Sequence, residues 1–504
     1  MVHAPQTCEA LLIWFQKQGG TVDLTSVGLV DFPNSEGGRG AIALKDIPEG
    51  HVLFSIPRDL TLSTRTSSLP NLFGLDEWKR FKLDEGWSGL ILSMMWEAAQ
   101  GPKSKWSEYM SILPTSFDTP MFWDEKDLAE LQGTSIVSKL GKEDAEEEYK
   151  TKLVPALESR PDLFPSSERE THYSFHAFHL MGSRILSRSF DVEKWQGDED
   201  EDENEMHEAN TSMGSAMDVD ENRAADPHPH RPEGEEHDEE EHEEGEEEEG
   251  EQDSSDTAMV PMADMLNARF GSENAKLFHE RTDLKMIATK PIKAGEQIWN
   301  TYGDLPNSEL LRRYGHVDIM ALPNGEQGNP GDVVEIRADG ILKAVHEIYP
   351  NITEESFSER IDWWLEEGED DVFDFDWDLE LPDPALAIIC LFLLSEAEWI
   401  KAREKSKPPK PKADTEVLTT LKRAIQDRLK DYLTSVVEDE ALLQRDDLTL
   451  NHRQAIVVRL GEKKILDSFL TKIAGLVEQQ SNKAGKRKHE TEAPVKGHGK
   501  KSKR

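Results

Sequence analysis

The stretch Pro261-Met-Ala-Asp-Met-Leu-Asn267-Ala-Arg-Phe-Gly-Ser-Glu-Asn274-Ala-Lys-Leu, with Trp299-Asn-Thr-Tyr302-Gly303 and Leu310-Leu-Arg-Arg-Tyr314-Gly315 downstream, decides how this chain is read. A Pro-bounded apolar run ends in Asn267, and Asn274 follows, where a regular helix or strand favours other residues. Asn presents a donor and an acceptor together, and Tyr carries a hydroxyl on a flat apolar body. Such groups suit a pocket that grips a polar ligand and keeps water out. A lone Tyr-Gly at a strand end is more often a core residue, so the weight lies on the combination. Tyr302 is expected to end an apolar strand.

Upstream, Gly38-Arg39-Gly40-Ala-Ile-Ala43 fits a G-x-G-x-x-A pattern. A dinucleotide site needs a helix straight after the glycines, so that its N-terminus meets the pyrophosphate. Here strand-like residues run into the turn Pro48-Glu-Gly50, which excludes that reading. Two readings remain: a tight hairpin, or a glycine turn whose backbone approaches a cofactor closely because no Cβ intervenes. Arg184 and Arg188 stand at the end of an apolar helical stretch. By themselves they fit a solvated helix terminus, where cations are favoured.

The chain has 504 residues and a formal net charge of -43, unevenly placed. Nearly half of the residues from Asp198 to Asp256 are Asp or Glu, with almost no large apolar side chains. That segment is expected to be disordered. Within it, His228, His230, His237 and His242 read as part of a solvated run rather than as a metal site. From Lys483 onward the chain is basic, and Lys486-Arg-Lys488 with Lys500-Lys-Ser-Lys-Arg504 read as import signals. An acidic chain is a poor default binder of nucleic acid. Cys8 and Cys390 stand apart with no CxxC pair, so neither a disulfide framework nor a structural zinc site is supported. No signal peptide is read, and the longest apolar run, Ala385 to Leu394, is too short to span a bilayer. A soluble intracellular protein is expected.

Apolar spacing predicts helices over Glu9–Gln18, Gly89–Ala99, His176–Ser187, Pro384–Ala402 and Thr415–Glu438, with one or two more over Leu450–Gln480. Strands and turns are expected over Val27–Pro57 and again from Leu284 to Trp299.

These motifs together resemble the SET-domain lysine methyltransferases of the Rubisco-methyltransferase-like group, and among them the fungal ribosomal lysine methyltransferases. The carriers are the Gly-x-Gly turn continued as Ala41 to Arg58, Ser187-Arg188-Ser189-Phe190, the "ADMLNA" run ending at Ala268, Tyr302-Gly303 and Tyr314-Gly315. The likeness covers roughly Cys8 to Val477. It implies an α+β fold: a SET β core split by a helical insertion and the acidic insert, then an all-α substrate-binding domain. The expected boundaries are an N-terminal helix at 1–23 and a SET domain at 24–303. Within the latter lie the helical insertion at 61–190, the acidic insert at 198–256 and the second SET half at 257–303. A helical domain at 304–482 and a basic disordered tail at 483–504 follow. The resemblance further implies S-adenosylmethionine held by Gly38, Arg39, Gly40, Arg188, Asn267, Ala268 and Tyr314. It implies a catalytic Tyr302, substrate contacts from Ser189 and Asp191, and no metal. The family's usual His after the first Asn is Ala268 here, which leaves a backbone role at that position. A protein substrate bearing the target lysine, such as a ribosomal protein, is implied, acted on by a monomer in the nucleus and cytoplasm with no membrane or direct nucleic-acid partner. Histone methylation and a SET scaffold that binds without turnover remain open alternatives.

Overall fold

The computed structural model describes residues 6–32, 38–193, 255–322, 325–350 and 354–491. The acidic run up to residue 254, with the histidines named above, lies outside them, as does the chain after 491. Two compact units form: Met1–Phe122 with Leu140–Leu305 and Arg312–Gly315, and Trp123–Lys139 with Pro306–Leu311 and His316–Arg504.

In the first unit all strand pairs are antiparallel. β1 (Thr21–Val22), β4 (Val52–Pro57), β8 (Asp283–Ala288) and β7 (Ala275–His279) form one sheet in that order. A second sheet runs β2 (Val27–Asp31), β3 (Arg39–Ala43), β9 (Gln297–Ile298). β5 (Ser189–Glu193) and β6 (Ser255–Met259) make a ribbon. The period of two explains the first sheet: Leu284, Met286 and Ala288 turn inward from β8 and meet Phe54 and Ile56 of β4, while Asp283 and Lys285 stay half-exposed. The helix Ser88–Gln100 is apolar on most sides and buries Leu90 through Met95 against Phe175–Arg188. The latter starts where Ser174 accepts from the Ala177 amide, an N-cap that satisfies one orphan donor.

The ribbon sets where the acidic run attaches. Glu193 pairs with Ser255, so the chain leaves and re-enters at adjacent positions. Asp256, expected to belong to the acidic run, instead lies in β6 and bonds Arg65 at 2.8 Å.

The second unit is mainly helical. Trp364, Trp399, Phe375, Phe392 and Phe469 fill its core around the helix Asp383–Leu393. The expected all-α composition needs two additions: β10 (Met320–Ala321) pairs β11 (Gln327–Gly328), and β12 (Val333–Arg337) pairs β13 (Val372–Asp376). Alternation in β12 buries Val334 and Ile336. Two long helices expected from apolar spacing are each broken. Pro384–Ala402 divides at Ser395, which caps a new helix through a reciprocal bond with Glu398, and Thr415–Glu438 divides at Ser435 with Glu438. The final helix, Leu450–Thr491, continues past Lys483, where the disordered tail was expected to begin. Nor is the helical insertion one block: Trp123, Leu131 and Ile136 pack with Leu311, Ala455 and Val458 of the second unit.

Asp439 is wholly buried in this unit between Arg459 (2.8 Å) and Lys463, and Arg459 also reaches Glu130 at 2.8 Å. Burial alone would push the Asp439 carboxyl up, but the two cations hold it below the ordinary carboxylate range. Removing one partner strands two buried cations, at a cost of about 3 kcal/mol or more. Asp439→Ala is therefore expected to lower the unfolding free energy of this unit by that order, seen as a lower denaturant midpoint. A midpoint equal to the parent's would show the network to be energetically neutral.

Candidate active site

Arg188 ends its helix and passes directly into β5, so its guanidinium lies beside the Pro261–Asn267 turn. Its Nη1 donates to the Asp264 carbonyl at 2.7 Å and stands 3.7 Å from Asp264 Oδ2. From the helix Ser107–Ile112, the buried Tyr109 hydroxyl donates to Asp264 Oδ2 at 2.9 Å. Asp264 is 7% exposed, and burial, opposed by Arg188, pushes its carboxyl up to about 6. Burial and the Asp264 charge push the Tyr109 phenol well up, which keeps it the donor. The solvated-terminus reading fails for Arg184 too, which is 5% exposed. The turn itself is strained. Met262, fully buried, has φ 78°, a conformation costing a non-glycine residue on the order of 1 to 3 kcal/mol. It opens the short 3-10 turn Ala263–Met265 that carries Asp264.

The glycine turn abuts the same place. Gly38 has φ 68° and leads into β3. A Cβ on Gly40 would stand 2.6 Å from Asn267 Nδ2 and 2.8 Å from Gln297 Oε1, so only glycine fits without displacement. Those two amides bond each other at 2.8 Å. Arg39 Nη1 makes a long contact to the Ile112 carbonyl, 3.5 Å, at the end of the Tyr109 helix.

Asn274 serves the backbone instead. Its Nδ2 donates to the Gln297 carbonyl at 3.1 Å and its Oδ1 accepts from the Trp299 amide at 2.8 Å, which binds the start of β7 to the end of β9. Ala268 forms a parallel bridge with Asn300, and the Asn300 amide donates to the Asn267 carbonyl at 2.9 Å.

The strand expected to end in Tyr302 stops at Ile298, and Tyr302 stands in irregular chain held by this bridge. Its ring stacks on Tyr314 with centroids 4.3 Å apart and planes 4° from parallel. Its hydroxyl donates weakly to the Leu266 carbonyl, 3.4 Å. Burial raises the Tyr302 phenol above its ordinary value; the Arg188 charge opposes this and Asp264 adds to it. The hydroxyl therefore stays protonated near neutral pH. Ser189, buried, and Asp191 follow Arg188 on β5, and Asp191 Oδ1 lies 3.5 Å from the Thr257 hydroxyl.

Arg188, Asn267, Tyr302, Tyr314 and the Gly38–Gly40 turn thus share one locality. Sequence reading missed Asp264, Tyr109 and Gln297. An acid inside the apolar run was a legible signal for Asp264. Tyr109 and Gln297 carry no local motif. Among the described residues no cluster of His, Cys, Asp or Glu is arranged to hold a metal ion.

Residues 38–303 match the SET domain family, and 353–466 match the Rubisco LSMT substrate-binding family. The chain belongs to the SET-domain family. Ribosomal lysine N-methyltransferase 4 of Saccharomyces cerevisiae is 28% identical over 465 residues, covering 86% of this chain and 84% of that one. Its Schizosaccharomyces pombe namesake is 30% identical over 347 residues, covering 66% and 70%. Human N-lysine methyltransferase SETD6 is 27% identical, covering 86% and 84%. In three dimensions the SET domain of LSMT bound to lysine and AdoHcy aligns at TM-score 0.61 and 19% identity, over 95% of this chain and 92% of that one. These likenesses fix a SET fold with a Rubisco LSMT-type second domain.

Asp264 sets a pH dependence for this SET domain. A carboxyl at 3.8 unfolded and about 6 folded favours the folded state below pH 4, and that stability is lost as pH rises through about 6. Two units correspond to about 3 kcal/mol. Asp264→Asn keeps an acceptor for Tyr109, and thermal unfolding across pH 4 to 7 is expected to show a flatter slope than the parent. Superimposable profiles would contradict the buried-acid assignment.

Proposed function

We propose that this chain methylates a lysine of a large-subunit ribosomal protein. It is a protein-lysine N-methyltransferase that uses S-adenosylmethionine. The observation that carries the site reading is the Tyr302–Tyr314 stack set beside Arg188, Asp264 and Asn267. The residues fit the cofactor. Gly40, with no Cβ, lets the β3 backbone lie against the Asn267 and Gln297 amides, and Arg188 supplies a half-exposed guanidinium for a carboxylate. Nε of Arg188 and Oδ1 of Asp264 are buried without partners, an unmet polar demand that marks a functional site. In the proposed assignment Gly38, Arg39, Gly40, Arg188, Asn267, the Ala268 backbone and Tyr314 hold the cofactor, and Ser189 and Asp191 face the substrate.

When bound, the cofactor supplies an activated methyl group on a positively charged sulfur. The protein's own task is to present a neutral amine. A free lysine at pH 7 is almost wholly protonated, and deprotonation costs about 4 to 5 kcal/mol. Desolvation near a positive charge lowers the lysine pKa. Tyr302, kept protonated, is a poor base but a good aligning group: its hydroxyl oxygen accepts from an amine N–H, which leaves the nitrogen lone pair free, while the ring is fixed by Tyr314. Alignment of this kind supplies a large share of a barrier reduction.

The ribosomal substrate rests on the names of the two fungal relatives. The basic groups Lys486-Arg-Lys488 and Lys500-Lys-Ser-Lys-Arg504 support a nuclear location in the same proposal, with the cytoplasm as second compartment. A binding scaffold without turnover has only Ala268 in its favour.

Tyr302→Phe removes one oxygen and keeps the stack. It is expected to cut turnover at least tenfold while S-adenosylhomocysteine affinity stays within twofold. Parent-like turnover would move the catalytic role elsewhere. Labelled-methyl transfer to purified ribosomal proteins and to histones tests the substrate, with label on a large-subunit protein expected and label on histones alone overturning it. Deleting residues 198–254 removes 27 of the 101 acidic residues. Turnover at saturating substrate is expected to persist. The salt dependence of capture of a basic substrate is expected to weaken, because long-range attraction raises association rates and salt screens it.

A further inference from the structure

Apart from the residues assigned above, the first unit holds a cavity of about 350 Å³ among the helices Ser88–Gln100, Ser107–Ile112, Ser166–His172 and Phe175–Arg188. Glu97, Ser107, Ser111, Thr171, His172 and Arg184 supply its polar wall, and none of Gly38, Arg39, Gly40, Arg188, Asn267, Ala268, Tyr302 or Tyr314 lines it. The size is at the small end of ligand pockets.

Two opposite charges on this wall are buried without an ion partner. Arg184 is 5% exposed; its Nε donates to the Pro114 carbonyl at 2.9 Å and its Nη1 to the Met181 sulfur at 3.4 Å, a weak acceptor. Among the described residues no carboxylate forms an ion pair with it. Burial, reinforced by Arg188, brings its guanidinium down to about 10. Glu97 is 4% exposed, and each of its oxygens accepts one hydroxyl, from Ser67 at 2.9 Å and Ser104 at 2.7 Å. A carboxylate has about four acceptor sites, so capacity remains. Buried charges in proteins are normally paired, because desolvation of an unpaired ion is costly. These two do not pair with each other, yet both residues line one cavity.

We propose that this cavity binds a small zwitterion of the free amino-acid class, its carboxylate on Arg184 and its ammonium on Glu97. A guanidinium fork suits a carboxylate. The negative wall at Glu97 disfavours a dianion such as phosphate and favours a ligand with its own cation. Ser107, Ser111 and Thr171 add hydroxyls, while Leu180 and Met181 offer an apolar side for the ligand's side chain. The site would communicate with the active site through two elements already described. Arg184 lies one turn before Arg188, and the helix bearing Ser107 and Ser111 also bears Tyr109, which holds Asp264.

The test is isothermal titration of the full chain at fixed ionic strength, with the cofactor site first saturated by S-adenosylhomocysteine so that the probe cannot enter it. Three probes separate the charges: L-methionine, butyrate and butylamine. L-Methionine is expected to bind saturably at one site, butyrate at least tenfold more weakly, and butylamine not measurably. Arg184→Gln and Glu97→Gln are each expected to weaken L-methionine at least tenfold. If Arg184→Gln does not fold, Glu97→Gln and Ser111→Val decide the matter alone. No saturable heat from L-methionine, butyrate binding as tightly as L-methionine, or indifference to the substitutions would each overturn the proposal.

Discussion

A carboxyl group in an almost water-free position, Asp264, is the constraint around which the first unit's site is arranged. Burial disfavours its charge, and Arg188 and Tyr109 are the two groups that make it tolerable. They come from two separate helices of the helical insertion, and the acid comes from the turn after β6. The three therefore meet only when the insertion is folded onto both halves of the β core. The left-handed Met262 belongs to the same arrangement, since a fully buried non-glycine residue at φ 78° persists only where surrounding structure over-determines it.

The β core contributes by bringing backbones close. β3 lies between β2 and β9, so the Gly38–Gly40 turn and Gln297 are neighbours through strand pairing. Gly40 then meets Asn267 because no Cβ stands between them. Asn267 and Asn274 look alike in sequence but divide the labour. One amide faces Gly40 and Gln297, and the other closes the β7–β9 junction. The second unit is built on different physics, an apolar core of edge-to-face aromatics with a buried ionic cluster at Asp439.

Much of this was legible in sequence where a feature is local. Gly38–Gly40, Arg188, Asn267, Tyr302 and Tyr314 each sit in a short motif whose residue types are unusual for a regular element. The expected SET β core, helical insertion and helical second domain follow from apolar spacing joined to that resemblance. What escaped was of two kinds. Tyr109 and Gln297 matter through partners 155 and 30 residues away, which no local pattern reports. The helix breaks at Ser395 and Ser435 did leave a signal, Ser-x-x-Glu in both cases, but continuous apolar spacing masked it. The β12–β13 ribbon joins segments 34 residues apart, so alternation in Val333–Arg337 had no adjacent partner to make it recognisable.

The central claim is that separated segments build one cradle for S-adenosylmethionine, with Asn267 at its middle. The most direct test is a calorimetric titration of S-adenosylhomocysteine into the parent chain and Asn267→Ala, both shown to be folded by their thermal transitions. Loss of a buried amide that leaves its partner unpaired is expected to weaken binding by about 1 to 3 kcal/mol, roughly 5- to 150-fold. Equal affinities in the two proteins would contradict the account.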